Sequence, residues 1–132
     1  MHLPENSIHI EALLSNVPLF HGLEREAVAR VAHGTCVITA GRGHILFREG
    51  EMPTGFHLIV YGQVKLTVGS SQGAEKVVDI LGAGQTIGEA AMFLDRRHPV
   101  TAQALQELLL LHIARQAIFD ELDRDPRLVC KM

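Results

Sequence analysis

The sequence predicts a mainly β fold: an antiparallel β-roll of the double-stranded jelly-roll type, with helices before and after it. Three features carry the prediction. Short segments rich in β-branched residues and leucine recur between residues 35 and 114. Glycine-containing separators, "GRG", "GEMPTG", "GSSQG" and "GAG", part them at short intervals. Helical periodicity is confined to the flanks. Strands of four to eight residues with turns this close together are joined by hairpins, whereas a parallel sheet needs longer crossovers. With no strand–helix–strand alternation, a doubly wound sheet is disfavoured.

In chain order, "SIHIEALLSN" opens the helical lead-in (residues 7–33), with Ser7 as N-cap and Ile8, Leu13 and Leu14 at loosely helical spacing. Pro18 interrupts it. "HGLEREAVARVAHG" then sets Leu23, Ala27, Val28 and Val31 on one helical face, and Gly34 is read as the C′ stop. The roll (35–114) follows as "TCVITA", "HILFRE", "FHLIVY", "QVKLTVG", "EKVVDIL", "QTIGE", "PVTAQA" and "ELLLLHIA". "VKLTV" alternates, which puts Val64, Leu66 and Val68 on one face and Lys65 and Thr67 on the other. "GSSQG" is a hairpin tip. A C-terminal helix starts at 115 and runs toward 132, with Ile118, Phe119 and Leu122 on one face. Pro126 either kinks that helix or begins a new one.

A chain of 132 residues suits one domain with one sizeable core. At 47% hydrophobic and 20% charged residues it can bury enough to fold. Its net charge of −3 argues against this chain alone gripping a phosphate backbone. Cys36 and Cys130 lack CxxC spacing and fit reduced thiols. "LLLLHIA" is too short to span a membrane, and "MHLPENS" lacks a basic and apolar leader, so the expected location is cytoplasmic. The histidines at 2, 9, 21, 33, 44, 57, 98 and 112 form no HxH or HExxH spacing. His112, inside an apolar strand, reads as a core or rim residue, although a single histidine suffices to ligate haem iron. No GxSxG, Walker loop or dinucleotide fingerprint is present, and "GRG" and "GAG" read as turns.

The stretch with the most chemistry is "GEAAMFLDRRHPVTAQA", residues 88–104. Gly88 lets a ligand approach the backbone, where successive amides can hold an oxygen anion. Glu89 can accept from a sugar diol, and Arg96, Arg97 and His98 can balance a phosphate or carboxylate. Taken alone, the same residues also describe an ordinary turn with a solvated acid and a basic loop.

Larger pieces settle which description to carry forward. "PLFHGL" (18–23), "GRGHILFREGE" (41–51), "GFHLIVYGQVKL" (55–66) and "LGAGQTIGEAAMFLDRRHPVTAQA" (81–104) follow one another in an order that resembles the cyclic-nucleotide-binding β-roll. The resemblance is nearest to the sensor domain of the CRP/FNR family of bacterial transcription regulators and spans roughly residues 15–125. It implies a non-catalytic effector site built from Gly88, Glu89, Ala90, Arg97, His98 and Thr101. In such a cassette the glycine and the residues after it offer amides, and the glutamate takes the ribose hydroxyl. An arginine nine or ten positions after the glutamate pairs with the cyclic phosphate, and a Ser or Thr follows. Here those positions hold His98 and Pro99, with Thr101 behind, and Arg97 lies one residue early. A neutral imidazole replaces a bidentate guanidinium poorly. Losing such a partner costs about 2–5 kcal/mol, so weak cyclic-nucleotide binding is expected.

"EAAMFLDRRHPVTAQAL" is similar to the branch of dissimilatory nitrate respiration regulators, associated with nitric oxide sensing through haem. Haem is therefore one alternative effector or cofactor, and cyclic AMP or cyclic GMP the other. With no cysteine before Cys36, the iron–sulfur branch is disfavoured. Family members continue into a dimerisation helix and a helix-turn-helix. The expectation is a homodimer in a full-length protein, DNA binding only through a C-terminal domain missing here, and a monomer or weak dimer for this chain. Any interface of this chain is expected on the short helix after Pro126 together with the face of Ile118 and Leu122. Two rivals remain at this point: an interaction module with a degenerate pocket, and a cupin-type metal enzyme. The second wants a His-x-His pair that His44 and His57 do not supply.

Overall fold

The computed structural model describes residues 9–70 and 72–125. Four helices, α1 (Ile10–Ser15), α2 (Arg25–His33), α3 (Glu89–Leu94) and α4 (Arg115–Arg124), accompany eight strands. The strands are β1 (Thr35–Ala40), β2 (Ile45–Phe47), β3 (Gly55–Tyr61), β4 (Val64–Gly69), β5 (Glu75–Leu81), β6 (Thr86–Ile87), β7 (Thr101–Ala104) and β8 (Leu108–Ala114). They form two four-stranded antiparallel sheets, ordered β1-β8-β3-β6 and β2-β7-β4-β5, which is the expected β-roll with flanking helices. A short 3-10 turn, Pro18–Phe20, links α1 to α2.

The apolar run of β8 is explained by burial on both faces. Leu108 and Leu110 join Phe47, Ile59, Val64 and Ile87 inside the roll. Leu111 and Ile113 point the other way, against Leu14, Val28, Val31 and Ile118 of the helices. One strand thus ties two cores together.

Several local expectations change. Thr67, on the face the sequence gives it with Lys65, is buried at 3% exposure. β4 is a central strand there, with Thr101 on one side and Val77 on the other, and the β4–β5 register skips Val78. Such a bulge increases the local twist and re-aims side chains. On the edge strand β5, Val77, Val78 and Ile80 are exposed, and the Ile80 amide donates to Asp79 Oδ1 at 2.8 Å. Gly34 does end α2, but with φ −95°, outside the left-handed region. Its glycine is required by packing, because a Cβ would lie 2.6 Å from Ala117 Cβ. Helix α1 begins at Ile10 with His9 at its N-cap position. Ser7 and Pro126 lie outside the described residues. Ile118 is fully buried, so it cannot supply a docking face between copies, as the sequence had suggested.

Buried between α2 and α4, Glu121 accepts from Arg30 Nε and Nη2 at 2.7 and 2.8 Å. This bidentate pair, with Arg124 Nε at 3.8 Å, pins α4 to α2. Arg30→Ala leaves a buried carboxylate without its main partner. We expect a melting temperature several degrees below the parent, only partly recovered in Arg30→Lys, since an ammonium cannot reproduce the fork. Circular dichroism melts check this; equal melting of all three proteins would count against the pair.

Candidate functional site

Strand β6 ends at Gly88, whose φ of +86° turns the chain into α3. Glycine takes that conformation without the cost a side chain would add. Helix α3 stops at Asp95, also left-handed at φ 53°. Asp95 Oδ1 meets Arg115 Nη1 at 3.0 Å, and Arg115 lies over the Phe119 ring, so the end of the cassette helix is tied to the start of α4.

The loop after α3 is stitched to the turn after β2. The His98 amide donates to Glu51 O and the Gly50 amide to His98 O, both at 2.8 Å, while Arg97 Nη1 donates to Gly50 O at 2.9 Å. Thr101 Oγ1 accepts from the Glu49 amide at 2.9 Å. These bonds fix where His98 points. Its ring is buried and stacks on Phe47, with centroids 3.6 Å apart and planes 13° from parallel. A Cβ on Gly88 would sit 3.1 Å from His98 Cε1, so the imidazole occupies the space beside the cassette glycine.

The six residues expected to form the site are thus brought to one neighbourhood but not to one task. Gly88 and His98 are in contact. Glu89 keeps one oxygen, Oε2, buried without a hydrogen-bond partner. Thr101 and Arg97 hold the 48–51 turn. Ala90 and Arg97 are exposed, as is Arg96.

Two further polar residues lie nearby, neither marked by sequence spacing. His57 on β3 is largely buried, with Nδ1 unpartnered. Burial pushes its pKa down to about 4, with help from His112 and His98. Burial also lowers His112, and it lowers His98 against the opposing pull of Glu51. The inner mouth of the roll therefore presents neutral imidazoles at neutral pH. A separate cleft of about 590 Å³, lined by Thr39, Tyr61, Glu107 and Leu109 among others, contains no cassette residue. Among the described residues, no helix is long and apolar enough to cross a membrane.

Comparison with known proteins follows the same lines. Residues 37–125 match the family described as "Cyclic nucleotide-binding domain". The chain is 26% identical over 109 residues to the CRP-like cAMP-activated global transcriptional regulator of Mycobacterium tuberculosis, covering 83% of this chain and 49% of that protein. It is 27% identical over 99 residues to the cyclic AMP receptor protein of Thermus thermophilus, covering 75% and 46%. The chain thus spans about half the length of these curated relatives. Among solved structures, it is similar to the sensor domain of the transcriptional regulator DNR from Pseudomonas aeruginosa. The TM-score is 0.83 at 26% identity, over 91% of this chain and 81% of that one. The matching domains are regulatory and typically non-catalytic, and some relatives are parts of channels or enzymes.

Proposed function

We propose that this chain, which belongs to the cyclic nucleotide-binding domain family, is the effector-sensing domain of a CRP/FNR-type transcription regulator whose effector is not a tightly held cyclic nucleotide. The observation that carries this reading is the His98 ring stacked on Phe47 beside Gly88. The loop position from which a cation would meet a cyclic phosphate is filled by a neutral ring. The neighbouring guanidinium, Arg97, is spent on the Gly50 carbonyl.

The domain works by differential binding. An effector seated against Gly88, Glu89, His98 and Thr101 favours one arrangement of the cassette relative to α4, to which Asp95 and Arg115 link it. DNA contact is assigned to a C-terminal domain outside this chain, and dimerisation to the same region. The likeness to the DNR sensor domain supports the regulator reading. It does not extend to haem at the interface of roll and helices. Among the described residues that interface is filled by Leu14, Val17, Phe20, Phe56, Met92 and Ile118. The small cavity beside it, about 150 Å³, is lined by Leu13, Asn16, Val17, Leu58, Ile59, Val60 and Gly84, none of them an imidazole or thiolate.

Titration calorimetry with cyclic AMP tests the reading. The parent chain is expected to show no saturable binding in the micromolar range. His98→Arg is expected to gain at least about tenfold in affinity, part of what a buried charge-assisted partner provides. Micromolar binding by the parent, or an affinity unchanged in His98→Arg, would refute it.

A further inference from the structure

The cleft of about 590 Å³ lies where β1 and β3 end and β8 begins, away from the cassette. Strand β1 sets Thr39 opposite Leu109, and β3 sets Tyr61 opposite the same leucine by a register that skips Val60. Ala40, Glu107 and Leu108 line the cleft around this row. Two residues along β8, Leu111 is fully buried against the helices, whereas Leu109 is only half-buried. The turn from β3 to β4 forms one wall. A Cβ on Gly62, at φ +101°, would overlap the Glu107 carbonyl oxygen, so the turn after Tyr61 packs directly on the backbone of Glu107.

The lining is mostly apolar, and its polar groups are free. Tyr61 is 59% exposed, unusual for a ring of that size at the edge of a core. Neither its hydroxyl nor the Glu107 carboxylate has a hydrogen-bond or ion-pair partner among the described residues. Glu107 carries the one formal charge among the lining residues, and Arg42, next in the chain after Gly41, is not one of them.

We propose that this cleft binds a small organic ammonium ion with an apolar body. Its size falls in the usual range for small-molecule sites, and its make-up, apolar walls with a few polar groups, is theirs too. Seven lining residues are too few for a protein partner, which engages about 20–30 on each side. The charge of the ligand follows from Glu107, whose carboxylate attracts a cation and repels an anion. An aromatic face is negative, so the Tyr61 ring favours the same sign. The Thr39 hydroxyl can accept from an ammonium N–H. Leu108, Leu109 and Ala40 take the apolar body, which leaves the half-buried floor less wet. This inference is independent of the cassette and stands whatever the effector there.

Tyrosine fluorescence of the whole chain tests it, because Tyr61 is the single tyrosine and there is no tryptophan. Phenethylammonium, whose phenyl ring does not absorb at the tyrosine excitation wavelength, is the probe. A saturable change is expected, with a Kd of about 1–10 mM for a ligand of so few atoms. The uncharged phenethyl alcohol is expected to bind at least about threefold more weakly, and 3-phenylpropionate not to saturate. Glu107→Gln is expected to erase the preference for the ammonium over the alcohol. Tyr61→Leu, followed by calorimetry, is expected to weaken the ammonium at least about threefold. Both side chains are exposed, and circular dichroism certifies that each variant is folded. No saturable change with phenethylammonium, equal binding of the ammonium and the alcohol, or a preference that survives Glu107→Gln would overturn the proposal. So would tighter binding of a tetralysine peptide than of phenethylammonium, which would assign the cleft to a basic protein segment.

Discussion

Gly55→Ala is expected to yield no folded protein. Gly55 opens β3 opposite Ala114 at the end of β8, and a Cβ there would overlap the Ile113 carbonyl oxygen. The next atoms it would meet, Ile113 C at 3.0 Å and Ala114 Cα at 3.1 Å, are also backbone, so no side chain can swing away. Relief requires β3 and β8 to separate where both cores depend on them, and where Arg115 N bonds Thr54 O at 3.0 Å. A clash of that kind belongs to the rare class above about 4–5 kcal/mol. It is set against a total stability of about 5–15 kcal/mol for a domain. Soluble yield and circular dichroism decide it, with Gly41→Ala as control, because a Cβ at Gly41 meets nothing within 4 Å. A Gly55→Ala protein that melts within a few degrees of the parent would contradict the packing described.

Acidification should be nearly as damaging. The His57 pKa is pushed down to about 4, chiefly by burial, from an ordinary 6.5. Between those values the unfolded chain binds a proton that the folded chain refuses, so stability rises with pH across the window. The contribution is complete above about pH 6.5 and is lost as pH falls toward 4. A gap of 2.5 units at about 1.36 kcal/mol each gives roughly 3 kcal/mol. His112 and His98 are shifted in the same direction and add to the slope. The urea midpoint should be lower at pH 4.5 than at pH 7.5. His57→Phe should be distinctly less acid-sensitive. Equal midpoints at both pH values, or full acid sensitivity in His57→Phe, would rule the account out.

The roll was legible in the sequence because each strand carries its own signal. Alternation or a short apolar run marks each strand, most of them ended by a glycine turn, and the eight strands lie where those signals lie. The cassette was legible for a similar reason, since Gly88 and Glu89 are neighbours along the chain. What fills the missing cation's place was not, because it depends on Phe47, a strand away, meeting His98 through bonds to the 49–51 turn. The facing pair His57 and His112 was invisible for a stronger reason, because residues so far apart in the sequence meet only through the pairing of β3 with β8. Gly34 was placed correctly for the wrong cause: the constraint is Ala117, not a left-handed turn.

The skipped residue on β5 bears on how the molecule behaves in a crowded solution. An open sheet margin bearing Val77, Val78 and Ile80 is a ready template on which further chains can add, strand upon strand, toward fibrils. The bulge bends that margin out of the flat geometry such growth needs, and Asp79 takes up the Ile80 amide that an incoming strand would use. One carboxylate and one extra residue thus let the domain keep an oily border without seeding its own aggregation.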